Sequence, residues 1–84
     1  MRLETKFGNK PQNQEIRYTD KGMLFVSYDT KIVLIPHEGK IQLDSQYWDY
    51  SATTGYYRNQ VLGEGIAETR KKIESGKYEL VNLN

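Results

Sequence analysis

The sequence predicts an α+β domain, in which a small antiparallel β-meander of three to five strands packs against two C-terminal helices. Residues 15–44 contain short runs of β-branched and aromatic residues separated by turn residues, which is typical of antiparallel strands. After Asp44 the apolar residues recur at helical spacing between helix-capping residues. Connections as short as those between the strands cannot make parallel crossovers, so we expect a meander.

The strands are predicted in chain order from their apolar patterns. EIRYT places Ile16 and Tyr18 on one face, and the turn at Gly22 leads into MLFVSY, a nearly continuous apolar run typical of a central strand. KIVLIP follows and is closed by Pro36, which cannot donate a hydrogen bond to a ladder. KIQLD alternates apolar and polar residues, and KYELVNLN, after the helices, is a candidate last strand that returns to the sheet.

Capping residues delimit the predicted helices. Ser51 is a candidate N-cap for a helix that starts at about residue 52, and Asp49 or one of the two following threonines could take its place. The helix should end at Gly63, where a left-handed C-cap is expected. A second helix is predicted over residues 66–75, with basic residues toward its C-terminal end. Helical spacing in the first helix indicates that Tyr57 belongs to the core and that Tyr56 lies on the surface.

A chain of 84 residues is long enough for one small domain. We expect residues 15–84 to form this domain and residues 1–14, which are polar and rich in turn residues, to form a loosely ordered N-terminal arm. The apolar residues on the inward faces of the predicted elements should be mostly buried. They are Ile16, Leu24, Val26, Ile32, Leu34, Ile41, Leu62, Ile66, Ile73 and Leu80.

The composition argues against catalysis and against strong electrostatic binding. Twelve Lys and Arg against eleven Asp and Glu give a formal net charge of +1, so there is no basic footprint for nucleic acid or a membrane. The chain has no cysteine and a single histidine, His37 in a predicted turn, so we expect no metal and no cofactor. No nucleophile motif or phosphate-binding loop is present, and we therefore expect no enzymatic activity.

The stretch WDYSATTGYYRNQ, residues 48–60, concentrates the residue types that anchor protein interfaces. Helical phase points part of this stretch outward, and an arginine there offers a planar donor fork for a carboxylate. The candidate partner-binding residues are therefore Trp48, Tyr50, Tyr56, Arg58, Asn59 and Gln60. Two alternatives stay open, because Trp48 is equally consistent with a core residue, and the same face is equally consistent with a symmetric homodimer.

Residues 51–76 also support an alternative function, a small nucleic-acid-binding regulator. Two helices joined by a short turn with two glycines are what a helix-turn-helix needs. In that geometry Thr69 and Arg70 would lie nearest the bases, and Lys71 and Lys72 would contact phosphates. Glutamates near the start of the second helix and the almost neutral chain count against this alternative, so a solvated helix face is the favoured interpretation.

Several short segments of the C-terminal half form one pattern. They are Trp48-Asp49-Tyr50-Ser51, Thr53-Thr54, Arg58-Asn59, Leu62-Gly63, RKKIESG over residues 70–76, and Asn82-Leu83-Asn84. With this pattern, the C-terminal half resembles the end of short bacteriophage and bacterial mobile-element proteins that have no assigned activity. The resemblance implies a protein that binds and blocks a host protein, including components of host defence, or one that binds nucleic acid. Because no apolar run has signal-peptide or membrane-span length, we expect it in the cytoplasm of a bacterial host cell.

Overall fold

One five-stranded sheet and two helices make up the fold. The computed structural model describes Leu3 and residues 11–84. In chain order the elements are β1 (Gln14–Tyr18), β2 (Gly22–Ser27), β3 (Thr30–Pro36), β4 (Ile41–Asp44), α1 (Ala52–Leu62), α2 (Ile66–Glu74) and β5 (Tyr78–Val81). The strand order in the sheet is β1-β2-β3-β4-β5, the same as in the chain. The predicted α+β class is confirmed.

Strands β1 to β4 pair antiparallel, as predicted for a meander. Apolar residues lie opposite each other across the ladders, for example Ile16 opposite Phe25. The β2–β3 hairpin turns through Tyr28 and Asp29, whose φ angles are 51° and 61°. Positive φ at both central residues is what a two-residue hairpin loop of this twist requires, so the turn sets the register of the two longest strands.

The last strand departs from an all-antiparallel meander. β5 pairs with β4 in parallel, with Ile41 opposite Tyr78 and Asp44 opposite Val81. A parallel neighbour needs a crossover connection, and the two helices supply it, whereas the short turns earlier in the chain do not. The sheet is therefore mixed, and residues 45–77 leave it at the end of β4 and return beside the same strand.

The predicted caps of α1 are confirmed. Ser51 Oγ accepts a hydrogen bond from Thr54 N at 3.1 Å. At the other end Gly63 has a φ of 68°, and its N–H donates to Asn59 O at 2.8 Å. α2 ends at Glu74, one residue before its predicted end. These local contacts set the start and the end of α1, and so the face that it turns to the sheet.

The core lies between the sheet and the inner face of α1. Its buried apolar residues are Leu3, Phe25, Ile32, Val33, Leu43, Tyr57, Val61 and Tyr78. The helical phase of α1 is as predicted, because Tyr57 is buried and Tyr56 is exposed. Among the residues expected in the core, Leu80 is the exception and is 43% exposed. It lies on β5, which is last in the strand order and has one paired neighbour among the described residues.

The other expected core residues are buried or half-buried. Leu24, Val26 and Ile32 are buried, while Ile16, Ile41, Leu62 and Ile73 are partly buried and pack against the core. The predicted loosely ordered arm over residues 1–14 falls mostly on residues outside the described ones. Within that span, Leu3 is buried and Gln14 begins β1.

Candidate partner-binding site

A groove opens beside the start of α1, within the aromatic stretch of the sequence. We call it the tyrosine groove; its volume is about 540 Å³, and it is lined by residues 49–52, Gly55, Tyr56, Arg58, Asn59 and Ile66. The loop after β4, the first half of α1 and the first residue of α2 meet here. Of the predicted partner-binding residues, the groove is lined by Tyr50, Tyr56, Arg58 and Asn59.

Two exposed tyrosines give the groove its aromatic character. Tyr50 and Tyr56 are 43% and 45% exposed. Each ring meets an inner tyrosine edge to face, Tyr50 with Tyr47 at 5.5 Å and Tyr56 with Tyr57 at 4.9 Å between ring centroids. Tyr57 is a core residue and Tyr47 packs against the core. The inner rings thus hold the exposed rings in place. This reduces the side-chain entropy that the two exposed tyrosines lose when a partner binds them.

Arg58 lies beneath the groove, which corrects the expectation that it is an exposed contact residue. It is 1% exposed. Arg58 Nη1 donates to Trp48 O at 2.8 Å and to Asp49 Oδ1 at 3.1 Å, and Nη2 donates to Asn59 Oδ1 at 3.1 Å. The guanidinium carbon is also 5.3 Å from the centroid of the Trp48 ring, within the range of a cation–π contact. Trp48 packs against the core, so this contact ties α1 to the loop after β4.

Positive charge exceeds negative charge at the groove. Asp49 is shared, because Oδ1 faces Arg58 and Oδ2 accepts a hydrogen bond from Arg70 Nη2 at 3.2 Å. Two guanidinium groups thus face one carboxylate. The hydrogen bonds of Arg58 use three of its five N–H groups, and its Nε is buried without a hydrogen-bond partner. The guanidinium therefore has unused hydrogen-bonding capacity. A buried N–H group without an acceptor lowers the stability of the fold.

Gly55 is buried in α1 next to the Arg58 guanidinium. A side chain here would place its Cβ 3.5 Å from Arg58 Nη2 and 3.7 Å from Nη1, which are ordinary van der Waals distances. An alanine would therefore fit, and in a helix interior alanine is favoured over glycine by about 0.5–1 kcal/mol. Packing does not require glycine at this position. Gly55 also lines the groove.

The beginning of α1 adds positive potential to the groove. Ser51 and Ala52 line it, and the first turn of α1 contains no acidic residue. The partial positive charge of the helix N-terminus is therefore not neutralised from within the helix. α2 also starts at the groove, where Ile66 contributes an apolar side chain. Aromatic, apolar and cationic groups thus meet in one concave surface.

Asp44 fixes the loop that leads to the groove. Its buried carboxylate accepts hydrogen bonds from Gln46 N at 3.1 Å and Tyr47 N at 2.9 Å through Oδ2, and from Leu83 N at 2.8 Å through Oδ1. Burial alone would raise the pKa of Asp44, but these hydrogen bonds, led by that from Leu83, hold the pKa below its ordinary value of 3.8. One side chain therefore joins the end of β4, the loop and the C-terminal segment.

The four residues predicted to contact nucleic acid do not share one exposed surface. Arg70 and Lys71 are exposed, whereas Lys72 is half-buried and paired with Glu64. Thr69 is 0% exposed, and its hydroxyl donates to Glu64 Oε2 at 2.7 Å. The expected position of Thr69, nearest to the bases, is therefore corrected, because its side chain points into the protein and bonds within it.

Glu64 joins the turn between the helices to α2 and to β5. Its side chain is 7% exposed, and its carboxylate accepts hydrogen bonds from Lys72 Nζ, from the Tyr78 hydroxyl at 3.0 Å and from Thr69. Burial alone would raise the pKa of Glu64, but these three hydrogen bonds hold it below its ordinary value of 4.5. The cluster positions the start of α2, and with it the apolar side of the groove.

Glu64→Gln should lower the free energy of unfolding by about 1–2 kcal/mol at neutral pH, because the amide keeps the shape but loses the charge that faces Lys72. Since the pKa of folded Glu64 lies below 4.5, its contribution is complete above that value and is lost as the pH falls through the folded pKa. Urea unfolding at about pH 7 and about pH 3 measures both effects, and the exposed Glu68 provides the control Glu68→Gln. An equal deficit at both pH values would contradict this assignment.

Comparison with known proteins identifies the family of the chain. The family of unknown function DUF8033 matches residues 1–78. The chain belongs to this family. No curated protein and no solved structure matches the chain. Within the described part of this DUF8033 member, no helix is long and apolar enough to cross a membrane, and no group of three or more His, Cys, Asp or Glu side chains is arranged to hold a metal ion.

Five residues line the groove of the DUF8033 protein without having been predicted as contact residues. They are Asp49, Ser51, Ala52, Gly55 and Ile66. The position of Gly55 inside a predicted helix is a usable signal, because glycine is disfavoured there without a local reason. Asp49 resembles an ordinary capping residue in the sequence. Ile66 resembles an ordinary core residue, and no local pattern distinguishes it from the others.

Proposed function

We propose that this DUF8033 protein is a small non-enzymatic binding protein that blocks a protein partner by docking it on the tyrosine groove. The observation that carries the proposal is the pair of exposed rings, Tyr50 and Tyr56, each held against an inner tyrosine beside a concave surface. Rings in that state offer a large contact area at small entropic cost, which is why tyrosine is frequent at the centre of protein interfaces.

The size of the groove suits side chains of a partner. Its volume of about 540 Å³ falls within the usual range of binding pockets, roughly 300–1,000 Å³. The floor carries a fixed guanidinium at Arg58, and Ile66 adds an apolar contact. A partner would therefore meet aromatic, apolar and polar groups together, which is the composition of an interface centre surrounded by a wetter rim.

A host protein in the cytoplasm of a bacterial cell is the partner that we propose. The support is the resemblance of the C-terminal half to bacteriophage and mobile-element proteins, a group in which small proteins commonly bind and block host proteins. A component of host defence is one such target. The alternative, a nucleic-acid-binding regulator that uses residues 51–76, retains Arg70 and Lys71 as the exposed members of its four predicted contact residues.

Tyr56→Ala should weaken the complex with the partner by about 1–3 kcal/mol, because it removes an exposed ring that lines the groove. The melting temperature should change little, since the lost side chain is 45% exposed. Affinity capture from a bacterial lysate, with and without nuclease, identifies the partner and separates proteins from nucleic acid. Calorimetric titration of the purified partner then gives the change in affinity.

Tyr28→Ala is the matched control, because Tyr28 is an exposed tyrosine at the β2–β3 hairpin and does not line the groove. It should leave the affinity for the partner unchanged. Full affinity in a stably folded Tyr56→Ala variant would place the interface elsewhere and overturn the proposal. Capture that is lost after nuclease treatment would instead favour the nucleic-acid alternative.

A further inference from the structure

We propose that the tyrosine groove binds a proline-rich segment of the protein partner in the extended polyproline II conformation. The groove offers a hydrogen-bond donor beside exposed aromatic rings, while its carboxylate and amide oxygens are already engaged. A segment that presents backbone carbonyls and few N–H groups matches such a surface, and proline residues supply that backbone. This inference rests on the proposed function and adds the chemical class of the segment that is recognised.

Asn59 supplies the donor. Arg58 Nη2 donates to Asn59 Oδ1 at 3.1 Å, so the amide oxygen is engaged and the guanidinium sets the orientation of the amide group. The Nδ2 group of Asn59 can donate two hydrogen bonds and has no acceptor among the described residues. Asn59 is half-buried and lines the groove. Its NH₂ group is therefore a fixed donor that is available to a ligand of the groove.

The acceptors of the groove are engaged within the protein. The Asp49 carboxylate accepts hydrogen bonds from Arg58 through Oδ1 at 3.1 Å and from Arg70 through Oδ2 at 3.2 Å. Ser51 Oγ accepts the hydrogen bond that caps α1. A ligand that needs acceptors for many backbone N–H groups would have to compete with these contacts. A ligand with free carbonyls would instead meet the Asn59 donor.

The exposed rings suit the side chains of proline. Tyr50 and Tyr56 are 43% and 45% exposed, and inner tyrosines hold both rings. Grooves that recognise proline-rich segments are lined by aromatic rings, and each tyrosine hydroxyl can also donate a hydrogen bond to a carbonyl. Ile66 adds an apolar contact. The groove thus combines aromatic and apolar contacts with donors for carbonyl oxygens.

Other backbone conformations fit the groove less well. In a helical segment the carbonyls are bonded within the segment, so its surface consists of side chains. A β-strand of a partner needs donors and acceptors along the edge of a sheet, whereas the groove is lined by the loop after β4 and by the two helices. A polyproline II helix has no internal hydrogen bonds, so its carbonyls are free, and its preformed backbone loses little entropy on binding.

The test compares acetyl-octaproline-amide with acetyl-(Gly-Ser)₄-amide, a flexible peptide of equal length that retains its backbone N–H groups. Nuclear magnetic resonance titration of the isotope-labelled protein follows the backbone amide signals of Ser51, Ala52 and Ile66 and the side-chain NH₂ signals of Asn59. We expect octaproline to shift these signals and the Gly-Ser peptide to bind at least roughly tenfold more weakly. Equal binding of the two peptides, or no shift with several millimolar octaproline, would overturn the inference.

Asn59→Asp should weaken octaproline binding by roughly tenfold, because the variant replaces the NH₂ donor with a carboxylate oxygen that repels a carbonyl. The substitution keeps an oxygen acceptor for Arg58, so the variant should stay folded. Octaproline with both ends blocked carries no charge, so the added negative charge does not act on it over a distance. Unchanged octaproline binding in folded Asn59→Asp would contradict the role given to this donor.

Asn82→Asp is the matched control. Asn82 is exposed, does not line the groove and, like Asn59, uses its Oδ1 as an acceptor, in this case for Asn84 N at 3.0 Å. Its affinity for octaproline should equal that of the wild type. An equal loss in the Asn82 and Asn59 variants would show that the added charge, and not the missing donor, weakens binding, and would overturn the inference.

The same measurements separate this inference from the proposed function. If Tyr56→Ala reduces affinity for the protein partner but octaproline binds no better than the Gly-Ser peptide, the proline-rich segment is wrong and the proposed function stands. If the partner binds Tyr56→Ala as well as it binds the wild type, the proposed function is wrong. Displacement of the partner by octaproline, with loss of both interactions in folded Asn59→Asp, supports the inference.

Discussion

Replacing Asp44 with asparagine should lower the free energy of unfolding by about 3 kcal/mol, because it removes a buried charge that accepts three backbone hydrogen bonds. Asparagine has nearly the same shape, so the substitution leaves no cavity. One carboxylate oxygen becomes an amide NH₂ group, which would face an N–H donor. Urea unfolding of the variant and the wild type at neutral pH measures the loss.

The pH dependence gives a second readout for Asp44. Its folded pKa lies below the ordinary value of 3.8, so its stabilising contribution is complete above that value and is lost as the pH falls through the folded pKa. The difference in stability between the wild type and Asp44→Asn should therefore shrink in acid. Asp20→Asn, at an exposed position before β2, is the control and should change stability by less than about 0.5 kcal/mol. A loss below about 1 kcal/mol for Asp44→Asn would mean that the carboxylate does not hold the loop.

Arg58→Ala should also lower the free energy of unfolding by about 3 kcal/mol. The substitution breaks hydrogen bonds to the Trp48 carbonyl and the Asp49 carboxylate, removes the contact with the Trp48 ring and leaves a void beneath the groove. Thermal or urea unfolding measures this loss. The effect is much larger than expected for an exposed arginine, since most surface substitutions change stability by less than about 0.5 kcal/mol.

Arg70→Ala is a matched control for Arg58→Ala. Arg70 binds the same carboxylate, that of Asp49, but its side chain is 61% exposed. Exposed ion pairs contribute little, so we expect a change of about 0.5 kcal/mol or less. Equal effects of the two arginine substitutions would show that burial of Arg58 has no energetic weight and would return it to the role of a surface contact.

Features that depend on near neighbours in the sequence could be predicted. The strands β1 to β4 follow from β-rich runs and short turns, and the α1 caps follow from Ser51 and Gly63, because each of these signals acts within a few residues. The burial of Tyr57 and the exposure of Tyr56 follow from helical periodicity. Predictions of this kind need no knowledge of the tertiary fold.

Features that depend on distant partners could not be predicted in the same way. Arginine is usually exposed, and the burial of Arg58 depends on a loop carbonyl and a ring that come together only in the folded chain. The buried Thr69 donates its hydroxyl hydrogen to Glu64, and Glu64 also accepts a hydrogen bond from Tyr78 of β5. The parallel pairing of β5 likewise depends on where two helices return the chain. No local pattern in the sequence specifies these contacts.

Every residue that lines the tyrosine groove lies within residues 45–77, the excursion between β4 and β5. Hairpins among β1 to β4 close short loops at low entropic cost, whereas the pairing of β5 with β4 closes one long loop. We therefore expect the groove to be completed late in folding and to be lost first when β5 detaches. A bound partner would hold this excursion closed, so binding should slow local unfolding and proteolysis of the C-terminal part of the chain.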